Sequence, residues 1–492
     1  MYKALVSFTT KDTDYRINKV YEETDFASQE LIDDLLQAKY IEEYDGTLEI
    51  TENGKYNVTD YEEAKVNVSS QGSTGSAVLK DVNLVDYDGT ILASYSKDEF
   101  LALTKLPTFP REGLIPDGWN WTLDGAKEYL RHSGKIDIGQ IYKTENGTTN
   151  IYFSLQEGRT SPWLGVCVEG TIEIDWGDGS ETETLSGTSV TTRVMKKHDY
   201  AKEGAYVIKF KPQDENTYFS FRSTNTYGGM ILSNNSGSGS TTNRTYQNCI
   251  TKIELGDGIS TLGDYAFRDM NGIKCVMIPN NVTVASTSTF DCCRGLYHVT
   301  FPSTISSITS TLFTQCRCLT SVAFGMGTSV PTNIYNQTEA KANISRMMFP
   351  AVSSCPGGQN FYSLTYCALP NSGFTTFSGS FSSSYCLSHI NIPASVTTMS
   401  GSFLDCHTLV NLYFPPSVQS ISNFSISNCV SLKFMDFSDH TSIPSLSNFS
   451  ATSISSDMKI IVPDDLYESW KATSGWSSYA SYIISKSDWD AL

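Results

Sequence analysis

One phrase constrains this chain more than any other: Phe-x-x-Cys-x-x-Leu-x-x-Val-x-Phe-Pro, which recurs through the second half of the sequence. Phe290, Cys293, Leu296, Val299 and Phe301 show it, and Phe313, Cys316, Leu319, Val322 and Phe324 repeat it. Phe403, Cys406, Leu409, Leu412 and Phe414 do so again, while Ile426, Cys429, Leu432, Met435 and Phe437 follow with aliphatic exchanges. Phe267, Met270, Ile273, Val276 and Ile278 put Met in the Cys slot. The proline position runs 256 (Gly), 279, 302, 325 (Gly), 350, 370, 393, 415, 438 (Ser) and 463, at intervals of 23, 23, 23, 25, 20, 23, 22, 23 and 25. A frame held that long is the signature of a stacked array. Within each unit the Leu-x-x-Val-x-Phe segment alternates like a short strand, and proline ends it because it has no N–H to give a ladder. One unit cannot bury its apolar side alone, so stacked units must share a core. The expectation is a solenoid over 249–463 with a period of about 23. Residues 325–370 are its irregular part, where Ile344, Met347, Phe349 and Leu364, Cys367, Leu369 keep only the second half of the phrase.

Charge and cysteine content narrow the function classes. The net charge is −18, from 35 basic and 53 acidic residues, which disfavours a nucleic-acid backbone as ligand. Residues 249–492 carry only 11 basic and 15 acidic side chains, so their surface must be largely Ser, Thr, Asn and Gly. No stretch approaches the roughly 18 apolar residues of a membrane span. Eleven of the 12 cysteines lie between Cys249 and Cys429, inside the repeat array, and Cys293, Cys316, Cys406 and Cys429 sit in the repeated slot. That placement reads as small buried side chains rather than as zinc ligands or a disulfide framework.

The repeat units resemble the BspA-like leucine-rich repeats of bacterial surface and phage proteins, in residue type and register together, over about 249–463. The tail from Val462-Pro463 through Trp470, Trp476 and Ile483 resembles the ending that closes many such arrays, which implies a cap over 464–492. What the resemblance implies is a ligand-binding or adhesive surface, not catalysis.

The front half reads as a series of smaller pieces. Residues 1–45 hold a short strand near Lys3–Thr9, another at Val20-Tyr21 and an amphipathic helix through Phe26, Leu31, Ile32, Leu35, Leu36 and Tyr40, and resemble a small module of phage head and tail proteins. Residues 46–68, with an Asn53-Gly54 hairpin turn, resemble a short β repeat of prophage tail proteins, and 69–77 form a Ser/Gly linker. Asp86-x-Asp88-Gly89-Thr90 matches the nucleophile motif of haloacid-dehalogenase-type phosphatases, but Asp-Gly is equally a hairpin turn, and no parallel-sheet alternation follows it. The hairpin is the favoured reading. Residues 111–163, with a helix through Ala126–Leu130, resemble a prophage tail segment, and Trp119, Trp121 and Trp163 are read as core plugs rather than sugar platforms because few other large aliphatics lie near them. Asp175-Trp176-Gly177-Asp178-Gly179-Ser180, followed by His198-Asp199-Tyr200 and Gly204-Ala-Tyr206-Val207, resembles a PKD-type immunoglobulin-like sandwich over 164–222. Asp175 and Asp178 are expected to cap the turn rather than to hold calcium, which needs six to eight oxygens.

The expected fold class is therefore multidomain and mainly β. It comprises an α+β module (1–45), a short β repeat and linker (46–77), a hairpin and Trp-rich module (78–163), the sandwich (164–222), a flexible loop (223–248), the repeats and the cap. Three functions compete. The first is a virion tail, baseplate or fibre protein, joined to other virion proteins by its N-terminal half and displayed in several copies, whose repeats bind a host surface glycan or protein. The second is an exported BspA-like cell-surface adhesin. The third is a polysaccharide depolymerase, which would need a pair of carboxylates. The array is poor in acids, with only Asp291 and Glu339 between 270 and 404, and no GxSxG, HExxH or GxxxxGK string occurs. The first reading is preferred, supported by the lack of an N-terminal signal-peptide core and of a C-terminal anchoring signal. No enzyme activity, cofactor, metal, nucleic acid or membrane insertion is expected, and the location is the virion. The expected contact residues are Tyr335, Tyr362, Tyr366 and Tyr385 in the irregular repeats.

Overall fold

A computed structural model of the 492-residue chain describes residues 80–156, 158–222, 231–234, 246–335, 343–357 and 359–492, with short strands within 1–43. The chain divides into two units, Met1–Val78 and Leu79–Leu492. In the first, Tyr2–Ala4 pairs antiparallel with Val20–Tyr21 and Ile41–Glu43, and Phe8–Thr9 pairs with Asp14–Tyr15. The helix expected from Phe26 to Tyr40 and the Asn53-Gly54 hairpin lie outside the described residues.

In the second unit a mainly β fold ends in a β-solenoid of about 10 turns with a period of about 23. Each turn opens on a short strand such as Cys275–Met277, His298–Thr300, Arg346–Met348, Tyr366–Ala368 or Asn411–Tyr413. These pair in parallel, His298 with Ser321 and Asn411 with Phe434, for example. Proline then closes a turn: the N–H of Val282 donates to Pro279 O at 3.2 Å, and that of Val418 to Pro415 O at 3.0 Å. A second short strand follows, and last comes the loop holding the Phe and Cys of the repeat.

The Cys slot has a specific role in that loop. Cys293 Sγ donates to Phe267 O at 2.9 Å, Cys316 Sγ to Phe290 O at 3.0 Å and Cys429 Sγ to Phe403 O at 3.1 Å. A thiol thus fills a small apolar hole and also satisfies a carbonyl of the preceding turn, which a methyl group would not. All twelve cysteines are free, nine of them buried. The phenylalanines stack into a spine, with Phe267, Phe290 and Phe313 at 5.5 and 5.7 Å between successive rings. At the C-terminal end Trp470 and Trp476 are fully buried, 5.6 and 5.4 Å from Phe437.

The solenoid is covered along part of its first-strand side. Strands β1 (Val82–Val85), β2 (Ile91–Tyr95), β3 (Leu114–Trp119) and β4 (Ile136–Thr144) form a sheet in the order β2-β1-β4-β3. It carries helices α1 (Lys97–Leu101) and α2 (Leu123–Ser133). Thr122 caps the start of α2 and Gly134 ends it in the left-handed region. The Asp86–Thr90 hairpin is present, its Asp86 N–H bonded to Thr90 O at 2.8 Å. The expectation of no parallel pairing is corrected, because β1 runs parallel to β4, joined by a crossover that includes α2. This module docks on the solenoid strands: Trp121 Nε1 donates to Phe324 O at 2.9 Å, Asn120 Nδ2 to Ala323 O at 3.2 Å and Tyr129 Oη to Phe349 O at 3.1 Å. Gly139 permits the approach, since a Cβ there would lie 2.2 Å from the Thr300 methyl.

Strands β5 (Thr149–Leu155), β6 (Trp163–Asp175), β7 (Glu183–Lys197) and β8 (Gly204–Pro212) extend the solenoid's own sheet. Its order is β7-β6-β8-β5, then Ile250–Glu254 and Cys275–Met277. The segment read from sequence as a separate sandwich therefore continues through β5, antiparallel to Ile250–Glu254, into the first solenoid turns.

Candidate functional site

The four tyrosines expected to make contacts divide into two pairs. Tyr335 is 2% exposed, its ring 5.8 Å from Phe349, and Tyr366 is 1% exposed. Neither offers a ring to a ligand, which corrects that part of the expectation. Tyr366 occupies the outward position of a solenoid strand, but the module of residues 80–145 covers it, and its hydroxyl donates to Asp137 at 2.6 Å. Asp137 also pairs with Arg346 Nε at 2.9 Å and accepts from Asn83 at 2.9 Å. Alternation in the sequence reports which side chains leave the sheet; what lies on top of them is a long-range matter it does not carry.

Tyr362 and Tyr385, by contrast, are 43% and 40% exposed. Their rings stack at 5.4 Å and 15°, and Tyr385 stacks on His407 at 5.0 Å and 20°. The three occupy one slot of the repeat, directly after the Cys position, in successive turns. The same slot holds exposed Arg294 and Arg317 upstream and Val430 downstream. Sequence reasoning missed His407, although the register that aligned the cysteines would have placed it beside the two tyrosines. Because the rings stack on one another, an incoming ligand meets their edges, the two phenol hydroxyls and the imidazole. Such a ladder offers hydrogen bonds from amphipathic rings held rigid by the turn beneath.

The other motifs singled out from sequence are structural clusters. Asp86 pairs with Arg111 Nε at 2.7 Å and Asp88 with its Nη2 at 2.6 Å, so one guanidinium holds both motif carboxylates. In the Asp175–Ser180 turn, Asp175 accepts the Gly177 N–H at 2.9 Å and Asp178 the Ser180 N–H at 3.0 Å, as the capping reading requires. Asp178 also lies 2.9 Å from His198 Nε2, and His198 stacks on buried Trp176 at 4.4 Å and 8°. Burial opposes ionisation of Asp178, but the Ser180 and His198 hydrogen bonds outweigh it and hold the carboxyl at about 2. Among the described residues no group of three or more His, Cys, Asp or Glu side chains is placed to hold a metal ion, and no helix is long and apolar enough to cross a membrane.

Comparison with known proteins returns several solved structures and one family. A leucine-rich repeat protein from Bacteroides ovatus is 16% identical with a TM-score of 0.32, over 43% of this chain and 66% of that one. A leucine rich cell surface protein from Faecalibacterium prausnitzii is 14% identical with a TM-score of 0.20, over 49% and 81%. The pneumococcal vaccine antigen PcpA is 12% identical with a TM-score of 0.17, over 51% and 80%. The chain thus spans just under two thirds of the first of these. No curated protein matches it by sequence. The family described as BspA type leucine rich repeat region matches residues 221–351 and 358–464 in six copies. The C-terminal half of the chain, with its short parallel strands and its period of about 23, is an array of BspA-type leucine-rich repeats.

Proposed function

We propose that this chain is a BspA-like cell-surface adhesin that docks through the exposed edge of its solenoid. The observation that carries this is the ladder of Tyr362, Tyr385 and His407, three stacked rings held in solvent by a rigid array. Residues 80–145 occupy much of the strand side, so docking falls to the exposed edge that carries the ladder. The partner is a surface glycan or protein, the role is binding rather than catalysis, and several weak contacts add up when copies are displayed together. The test is binding of fluorescent full-length protein to intact candidate cells. Replacing both Tyr362 and Tyr385 with Ala is expected to weaken saturable binding at least tenfold with unchanged thermal unfolding. Equal binding by this variant and the parent would refute the ladder as the contact.

A second reading, display on a virion, draws on one observation: Met1–Val78 forms a unit of its own, and residues 1–68 within it resemble phage head and tail modules. On that reading the same solenoid binds the host while the PKD-like region acts as a spacer. Immunodetection decides between the two. The adhesin reading expects the chain in the cell-envelope fraction, and the virion reading expects it in purified particles.

A further inference from the structure

On another side of each turn the second strands form a parallel sheet of their own. Thr376–Phe377, Thr398–Met399, Ser420–Ser422 and Ser445–Ser447 stack with Thr376 beside Thr398, Thr398 beside Ser420 and Ser420 beside Ser445. The middle residue of each, Phe377, Met399, Ile421 and Leu446, packs into the core. The flanking hydroxyls therefore face outward in two columns, Thr376, Thr398, Ser420, Ser445 and Ser378, Ser400, Ser422, Ser447. Strand geometry sets about 4.8 Å between neighbours in a column and about 6.6 Å between columns. Where the sheet begins lies an open depression of about 530 Å³, lined by Ser354, Cys355, Phe374, Thr376, Ser378 and Ser395 among others.

Two further observations bear on what this face takes. No Asp, Glu, Lys or Arg occurs between Arg346 and Asp405, nor within 419–425 or 442–450. Some hydroxyls on the face are already used, as Ser395 Oγ donates to Phe374 O at 2.7 Å. Those of Thr376, Ser378, Ser400, Ser422, Ser445 and Ser447 have no protein partner among the described residues.

We propose that this face is a second binding surface, distinct from the ladder, for a neutral extended polysaccharide that lies along the solenoid axis with one end in the depression. A charged polymer would lose hydration here without meeting a counter-charge, and an apolar peptide would leave the hydroxyls unpaired. Sugar hydroxyls both donate and accept, as serine and threonine do, so each turn offers a new pair of matching contacts to a chain running past it. This inference does not depend on the adhesin reading.

The test is affinity electrophoresis of the full-length protein in gels containing mixed-linkage β-glucan, galactomannan or dextran, with polygalacturonate as the anionic control. At least one neutral polymer is expected to retard the protein and polygalacturonate is not. Combining Thr376→Asp with Ser447→Asp, both at exposed positions, should weaken retardation at least tenfold with thermal unfolding unchanged, while Tyr385→Ala keeps it. Retardation by no neutral polymer, equal retardation by polygalacturonate, or full retardation of the double variant would overturn the proposal. Cell binding by the double variant separates the two claims. Docking kept while polymer binding is lost leaves both standing on separate surfaces, whereas docking lost in the Tyr362 and Tyr385 variant but polymer retardation absent throughout leaves only the adhesin reading.

Discussion

His298 is 1% exposed at the junction between the solenoid and the covering module, with Nδ1 2.8 Å from Ser321 Oγ and Nε2 3.0 Å from Thr300 Oγ1. Burial first, then the positive charge of Arg346, pushes its pKa from the ordinary 6.5 down to about 4. The folded state therefore keeps the ring neutral where the unfolded chain protonates it. Between these two values the unfolded state binds more protons, so stability is full above about 6.5 and falls as the pH drops towards about 4. Urea unfolding is expected to show a loss of about 2 kcal/mol between pH 7 and pH 5 from this group. His298→Gln should flatten the slope in that interval, and an unchanged slope would show that the buried ring does not set it. From sequence His298 was one of six scattered histidines. Its burial depends on Gly89, whose added Cβ would lie 2.7 Å from that of His298. Such a pairing of residues distant in the chain leaves no periodic trace.

At the level of the repeat, the strand and its closing proline were legible because both are local. Leu-x-x-Val-x-Phe alternates, and proline cannot continue the ladder. The Cys slot was legible as a small buried position, but its hydrogen bond to the preceding turn was not, since it depends on the stacking distance. A third regularity carried only a partial compositional signal, Asp or Asn at three of the six positions that show it. The residue just before the Cys slot adopts positive φ in turn after turn, at Asp269, Cys292, Gln315, Ser383, Asp405 and Asn428. Its N–H reaches the next turn, as Ser383 N donates to Leu404 O at 2.8 Å and Asp405 N to Ser427 O at 3.0 Å. A left-handed non-glycine residue costs roughly 1–2 kcal/mol, and Ser383 adopts it at φ 61 with no side-chain hydrogen bond among the described residues to offset this. Ser383→Gly is accordingly expected to raise stability by about 1 kcal/mol in thermal or urea unfolding, less whatever backbone entropy glycine adds to the unfolded chain. A destabilised variant would mean that the serine side chain contributes more than its backbone strain removes.

Across the whole unit from Leu79 to Leu492, the array itself was readable from sequence and its surroundings were not. The period fixes stacking, but the antiparallel strands β5 to β8 join the first turns edge to edge, and residues 80–145 lie over the outward side chains of several others. That arrangement explains why Tyr366 is lost to a ligand while Tyr362, four residues earlier, is exposed. On the proposed adhesin account it also directs docking to the ladder edge, where Cys386 sits beside Tyr385 and, with Cys318, is one of two exposed cysteines among the twelve. The buried thiols of the repeat slot are held above their usual range by burial, and that of half-buried Cys355 is pushed up to about 11, so a maleimide reaches the two exposed thiols first. A bulky poly(ethylene glycol) maleimide placed on Cys386 in a Cys318→Ser background, followed by cell binding, is the most direct test of the adhesin account. Modification at Cys386 is predicted to abolish saturable binding, while the same group on Cys318 in a Cys386→Ser background leaves it in place. Binding that persists with Cys386 modified would contradict docking through the ladder.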